Sequence, residues 1–506
     1  MAPPLAPELL RRARPLLRRG GGVPRRRSAR GGVRPGRDDP AAPAAGGRPR
    51  AVKRPAKRPR RGNPAAALGA EGAGAPPDVV RRAPFADSPH VGARGQRTQQ
   101  RILDAALAVF GEAGYDPSGV DPIAQRAGCS RAAFYQYFSS KEDVFRHLSG
   151  QVARQLDAST EALEPVASSR AGWRALRAWV ARFADVYDRY QPVFHAFQAA
   201  SESDAAVAAG SARWGMRAVA RIRARLVAPP LRSRELELVI VQLLGCVTRT
   251  HDLARILRSA APEDFAAERM GDALADVAHR AFFGLREDAN VRPPPRPRAA
   301  PIRFDPAVRD VFATSGPPRE LTPAGRETWD ALLEGGRKVF AERGYYRTRV
   351  ADVTAAAGLS RAAFYRYFDD KDQLARALTA RALRSVARVF AELPASAASG
   401  SAAGRAALRD WLRRYDLAQV GEAAMIRVWM DAVLQDAGLR ADAAPALDWG
   451  RRALAFFLER RGFGDVDAEA VVLLAHLSAF GTRERSGAEV EAAARIVERG
   501  FVGLER

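Results

Sequence analysis

Phe110-Gly-Glu-Ala-Gly-Tyr115, a short loop, then Val120-Asp-Pro-Ile-Ala-Gln-Arg-Ala-Gly-Cys-Ser-Arg-Ala-Ala-Phe-Tyr-Gln-Tyr-Phe138-Ser-Ser-Lys141: this stretch returns 230 positions later, from Phe340 to Lys371, without a gap. Between Phe110–Phe145 and Phe340–Ala375, 16 of 36 aligned pairs are identical, most densely in Ser-Arg-Ala-Ala-Phe-Tyr-x-Tyr-Phe at 130–138 and 360–368. A repeat of this length marks two versions of one domain.

The repeated element reads as two short helices joined by a turn. Val120, Ile123, Ala124 and Ala127 fall at i, i+3, i+4 and i+7, one apolar helical face. Gly128 can adopt the positive φ that ends that helix, and Ser130 is a natural N-cap for the next. Phe134 and Phe138 share a face and are expected in the core. Arg131, Ala132, Ala133, Tyr135, Gln136 and Tyr137 are left for other faces. Such a helix suits a DNA groove: Arg forks onto guanine, small residues let the backbone approach, and Tyr hydroxyls reach phosphate. Ser139-Ser-Lys-Glu142 is expected to form a capping box, with Lys141 in a first turn suited to phosphate. The second set is Ser360, Arg361, Ala362, Ala363, Tyr365, Arg366, Tyr367 and Lys371.

These residues resemble the DNA-binding signature of the tetracycline-repressor-like (TetR/AcrR) family: Gly-Tyr/Phe, Thr-Val, Ile-Ala-x-x-Ala-Gly-Val-Ser, Tyr-x-Tyr/His-Phe, Lys-Glu-x-Leu. The first repeat departs from it at Ser118-Gly119, Asp121-Pro122 and Cys129. The second departs at Arg349 and Thr354-Ala355-Ala356, and Asp369-Asp370 would stand near phosphate unless they cap a helix. The resemblance covers about 96–286 and 323–506. It implies an all-α fold with two tandem units, each a helix-turn-helix followed by a helical ligand-binding and dimerisation body.

Composition bounds the rest. The chain has 506 residues and a net charge of +24. Its first 95 residues hold 22 Lys/Arg against 6 Asp/Glu, or +16, leaving +8 elsewhere. This leader of Arg, Pro, Gly and Ala cannot bury enough apolar surface to order itself. Its Val52–Arg61 basic run reads as a DNA-backbone arm, as a solvated tail, or as sequence upstream of the true start. The heavy Ala, Arg and Gly usage is what a GC-rich bacterial genome imposes. Two cysteines, Cys129 and Cys246, make neither a disulfide framework nor a zinc set. No apolar run is long enough to span a bilayer, and no signal-peptide core opens the chain. A cytoplasmic, nucleoid-associated protein is expected.

Six segments follow: the leader (1–95), a first helix-turn-helix unit (96–147) and its helical body (148–286), a Pro-rich linker (287–322), a second helix-turn-helix unit (323–377) and its body (378–506). Helices are expected from Gln96 to Glu112, Lys141 to Leu163, Ser203 to Val227 and Ser233 to Arg258. Pro192 is expected to open another, and Pro262 to stand in the first turn of the last helix of the first body. A short helix around Pro306–Phe312 interrupts the linker. Gly335-Gly336, unfavourable inside a helix, points to a tight helix contact. The large apolar residues Trp179, Phe183, Tyr187, Phe194 and Trp214 in one body, and Trp411, Met425, Trp429 and Trp449 in the other, are each ordinary core residues taken singly. As sets they are candidates to line apolar pockets. His195 and His251 lack ligand spacing.

No catalytic constellation, metal-spaced His/Cys set or phosphate loop is present in the sequence, so neither enzyme activity nor a cofactor is expected. The reading is a sequence-specific, ligand-responsive transcriptional repressor. Its partners are a double-stranded DNA operator and an unidentified small apolar effector. The alternative is an architectural protein binding DNA without sequence preference. The C-terminal helix pairs, Ser233–Leu285 and Asp467–Leu504, can meet within one chain as a pseudo-dimer or between chains as a homodimer.

Overall fold

Ile102, Ala106, Val109 and Phe110, the stripe that predicted the first helix, are all buried along α1, Ala93–Ala113. The computed structural model describes residues 92–261, 263–286, 317, 320–345, 347–435, 437–459, 461–478 and 484–504. The leader to residue 91, Pro262 and the linker from 287 to 316, with its expected short helix, lie outside the described residues. Among the described residues there is no strand, only a single parallel bridge between Val166 and Leu226, and the fold is all-α.

In the first half, α2 (Val120–Arg126) and α3 (Arg131–Tyr137) form the helix-turn-helix with α1. α4 (Lys141–Glu161) carries the chain into the body, made of α5 (Arg170–Ser203), α6 (Ala205–Arg225), α7 (Ser233–Leu257) and α8 (Ala267–Phe283). The cap of α4 differs from expectation by one residue. Ser140, not Ser139, is the N-cap and accepts from the Asp143 N–H at 3.2 Å; Asp143, not Glu142, reaches back to the Ser139 N–H at 2.8 Å. Pro192 does open a new helical segment. α5 is two helices joined across a kink at Tyr190 (φ −114°, ψ 20°), and the proline, which supplies no N–H and crowds the preceding turn, stands in the first turn of the second. Asp204 rather than Ser203 starts α6, its carboxylate accepting from the N–H groups of Ala206 and Val207. α8 begins at Ala267, after a turn at 263–265.

The second half repeats the plan. α9 (Pro323–Arg343) opens on Thr322, which accepts from the Gly325 N–H at 3.2 Å, with Pro at the first helical position. α10 (Val350–Ala357), α11 (Arg361–Tyr365) and α12 (Lys371–Phe390) follow. A 3₁₀ turn at Ala395–Ser399, expected as loop, leads into α13 (Ala402–Gly421), α14 (Ala423–Gln435), α15 (Ala437–Leu458) and α16 (Val466–Ser478). α17 (Gly487–Arg495) continues as a π-helical segment, Ile496–Val502. The Gly335-Gly336 pair is explained by close packing. A Cβ on Gly335 would stand 2.9 Å from the Val353 carbonyl oxygen, and one on Gly336 2.8 Å from a Leu374 methyl.

The two bodies pack through their last helices: α7 on α16, α8 on α16 and on the π-helical segment, α17 on α7. Backbone approach is close, since a Cβ on Gly500 would lie 3.0 Å from the Val277 oxygen. Polar contacts cross the seam at fixed points. Gln242 donates to the Glu489 carbonyl at 2.9 Å, and the Arg280 Nε to the Gly500 carbonyl at 2.7 Å. Arg280 also pairs with Glu469, which is fully buried and takes Arg461 at 2.6 Å on the same oxygen. Both guanidinium groups stack on Phe463, at 5.1 and 4.9 Å. At the rim, Arg269 makes a two-pronged contact with Asp465 at 2.6 and 2.9 Å.

Removing a partner from a buried ion cluster leaves uncompensated charge, whereas exposed pairs contribute little. Glu469→Gln should therefore lower the unfolding free energy of the whole chain by about 3–5 kcal/mol. Arg269→Ala, at the half-exposed rim, should cost less than about 1 kcal/mol. Urea denaturation followed by circular dichroism measures both; equal effects would contradict this assignment.

Candidate nucleic-acid interface

The two short helices α3 and α11 are built alike. Ser130 and Ser360 cap them, each hydroxyl oxygen accepting from the N–H three residues on, Ala133 or Ala363, at 3.1 Å. Gly128 and Gly358 enter the turns at φ 63° and 67°, where a side chain would be strained. Phe134 and Phe138, and Phe364 and Phe368, are buried to 1% exposure or less and fix the inward faces. What remains outward is Arg131, Ala132, Tyr135 and Gln136 in one unit, and Arg361, Ala362, Tyr365 and Arg366 in the other. Ala133 and Ala363 are half-buried behind these faces.

The arginines at the two starts are not in the same state. Arg131 is exposed, 3.1 Å from Asp121, with its guanidinium 5.7 Å from the centre of the Tyr135 ring. The position matching Asp121 in the second unit is Ala351, and Arg361 has no ion pair among the described residues. Asp121 stands out in the sequence only as a departure from the family signature; its pairing with Arg131 appears only in the fold, which brings residues ten apart on neighbouring helices together.

Three expected backbone contacts are placed elsewhere. Lys141 is half-buried, its ammonium donating to the carbonyls of Tyr115 (2.9 Å) and Asp116 (3.2 Å) and standing 4.4 Å from the centre of the Tyr115 ring. Lys371 does the same with Tyr345 (3.0 Å) and Thr348 (3.2 Å), 4.2 Å from the centre of the Tyr345 ring. Burial lowers the pKa of both amines. Each lysine ties the turn before the second helix to the start of the fourth, with two of its three ammonium protons donated to carbonyls. Tyr367 is 8% exposed and lies edge-on against Trp329 with ring centres 6.1 Å apart. Tyr137, its counterpart, is half-buried. Asp370, by contrast, does cap α12, accepting from the Gln373 N–H at 2.7 Å.

Behind each unit lies a cavity. In the first body, about 260 Å³ opens between α4, α5, α6 and α7, lined by Val152, Leu156, Phe183, Phe194 and Trp214 among others. The Trp214 indole N–H and the Ser149 hydroxyl on its wall are buried without a hydrogen-bond partner among the described residues. Of the aromatic residues expected there, Trp179 lines a separate void of about 30 Å³ instead. Tyr187 is turned away, donating its O–H to Asp252. In the second body, about 110 Å³ is lined by Trp429 and Trp449. Trp411 is packed, stacked on Tyr415 at 5.1 Å and donating to the Val389 carbonyl at 2.8 Å. Met425 sits in the apolar cluster under the second helix-turn-helix with Trp329, Phe364 and Phe368.

Two Ser-capped helices held outward on their own helical bodies define a two-headed all-α architecture. The family model for bacterial regulatory proteins of the tetR family matches residues 102–148 and 332–378, which are these two units. The chain belongs to the tetR family and carries two tandem domains of that type. It is 43% identical over 54 residues to the HTH-type transcriptional regulator SrpR of Pseudomonas putida, 11% of this chain and 25% of that one. It is 31% identical over 88 residues to the HTH-type transcriptional repressor KstR of Mycobacterium tuberculosis, 17% of this chain and 40% of that one. With the HTH-type transcriptional activator FasR of Mycolicibacterium smegmatis it shares 46% identity over 52 residues, 10% of this chain and 23% of that one. Each match thus spans less than half of the relative's length.

Neutralising the Lys141 ammonium strands two loop carbonyls in a half-buried turn. Lys141→Met should lower stability by about 1–3 kcal/mol, read as a shift in the urea midpoint. An unchanged midpoint would mean that the amine is free for another partner.

Proposed function

We propose that this chain is a sequence-reading transcriptional regulator that occupies an operator as a repressor and leaves it when a small apolar ligand binds. The observation that carries the reading is the pair of outward faces, Arg131-Ala132-x-x-Tyr135-Gln136 and Arg361-Ala362-x-x-Tyr365-Arg366. Each presents one fork-shaped donor, a small residue that permits close approach, and a phenol within reach of phosphate. The relatives include a repressor and an activator, in agreement with regulation of transcription.

The cavity of the first body supports the ligand. Its walls are mainly apolar, and α4, which forms one wall, begins at the end of the helix-turn-helix unit. A ligand that displaces α4 therefore re-aims α3, and linkage requires DNA to weaken the ligand in return. The seam between α7, α8, α16 and α17 supports one chain acting as a covalent pseudo-dimer on one operator. The faces differ, Gln136 against Arg366 and Asp121 against Ala351, so the operator is an imperfect inverted repeat whose halves are not interchangeable.

Footprinting on DNA upstream of the gene itself identifies the site. On it, Arg131→Ala should cost about 1–3 kcal/mol and relax preference in one half-site, and Arg361→Ala should do so in the other. One chain per short operator is expected by light scattering of the complex. Two chains on that operator, or a perfect palindrome as the tightest site, would overturn the pseudo-dimer. A ratio near one between operator and random DNA at moderate salt would instead favour architectural binding.

Filling the first cavity tests induction. The neutral apolar dye N-phenyl-1-naphthylamine should bind the full chain and weaken its hold on the operator. Gly150→Trp, which places an indole in the cavity, should lose both effects while still binding DNA. Dye binding unchanged in this variant would remove the cavity from the argument.

A further inference from the structure

Arg249 belongs to the first half of the chain but faces a cavity of the second. It sits on α7, is 4% exposed, and lines the space of about 110 Å³ in the second body. The other walls include Phe390, Trp429, Met430, Leu447 and Trp449, from α12, α14 and α15. Neither its Nε nor its Nη1 has a hydrogen-bond partner among the described residues. Asp252, one turn along the same helix, comes no closer to Nη1 than 3.7 Å, beyond hydrogen-bonding range. The Asp252 Oδ1 is already taken by the Tyr187 hydroxyl and by His195 at 3.2 Å. Asp431 acts on Arg249 through charge alone. The result is a buried guanidinium, ion-paired with Asp252 but with two unused donors, in a residue that lines an apolar, aromatic cavity.

Unused buried donors are costly, and the group that satisfies a guanidinium best is a planar carboxylate, which accepts two parallel N–H bonds. The space is of the same order as the roughly 150 Å³ that holds a benzene ring in an engineered apolar cavity. We propose that this cavity is a second effector site, built by both halves, for a small flat apolar carboxylic acid bound as its anion, with the carboxylate on Arg249 and the ring between Trp429 and Trp449. The proposal rests on the ligand-responsive reading and gives its second ligand a chemical class. Leu383, Val386 and Phe390 on the same wall belong to α12, which starts directly after the second recognition helix. A ligand here ties α12 to α7 and so couples the second helix-turn-helix unit to the first body.

Benzoate and its neutral analogue benzamide are the probes, titrated against the full chain by calorimetry and tryptophan fluorescence. One benzoate per chain is expected, bound at least tenfold more tightly than benzamide. Arg249→Met should abolish that preference. Leu383→Trp fills the cavity and leaves Arg249 in place; it should abolish binding of both probes, and it carries the test should Arg249→Met fail to fold. Absence of benzoate binding, equal affinity for benzamide, or benzoate binding that survives Leu383→Trp would each overturn the site. Dye-driven release of operator DNA, blocked by Gly150→Trp, is read separately, so loss of the benzoate site leaves the first-cavity reading intact and distinguishable.

Discussion

Glu469 lies between Arg280 of the first half and Arg461 of the second, with Phe463 under both guanidinium groups. A carboxylate buried to this extent is tolerable only with both cations and the Gly500 carbonyl in place, since isolated charge in a dry seam is heavily penalised. The two bodies are therefore complementary to each other at a point that neither can satisfy alone. In a dimer of identical chains, symmetry forces every seam contact to occur twice. One chain carrying both halves is free of that constraint. Gln242 meets the Glu489 backbone and Cys246 the Val472 carbonyl, each with a partner selected independently.

That freedom is visible in the helix-turn-helix units. The ungapped repeat made the turn, the Ser caps and the Phe anchors legible, because those features follow from local spacing. The lysines were equally visible, but their contacts within the protein were not: Lys141 and Lys371 each close the same turn on two carbonyls. Tyr367 was misplaced for a more instructive reason. Its burial depends on Trp329, and the matching position in the first unit is Gln99. With glutamine there, Tyr137 is half-buried rather than buried. Aligning the first helices as well as the motifs would have exposed the difference.

The cavities show the limit of pattern reading from the other side. Aromatic spacing pointed to the right bodies, yet of the expected residues only Phe183, Phe194 and Trp214 line the first cavity, and only Trp429 and Trp449 the second. Tyr187 and Trp411 each found a polar partner, Asp252 and the Val389 carbonyl, and a satisfied aromatic packs as core. Arg249 could not have been found from sequence. Its significance comes from a helix of one half forming the wall of a cavity in the other, and that geometry exists only once the seam has formed.

The same seam bears on how the two recognition faces divide their work. Arg131 is paired with Asp121, whereas Ala351 stands at the matching position of the second unit and Arg366 shares the exposed face with Arg361. In the proposed complex the first face attracts phosphate less than the second, because the Asp121 carboxylate beside Arg131 offsets part of its charge. The second attracts more generally, since uncompensated guanidinium groups favour phosphate on any sequence. In the proposed complex with DNA, the second face supplies residence on the duplex while the first supplies the choice of register. A symmetric dimer cannot separate these two demands, since each of its faces has to meet both.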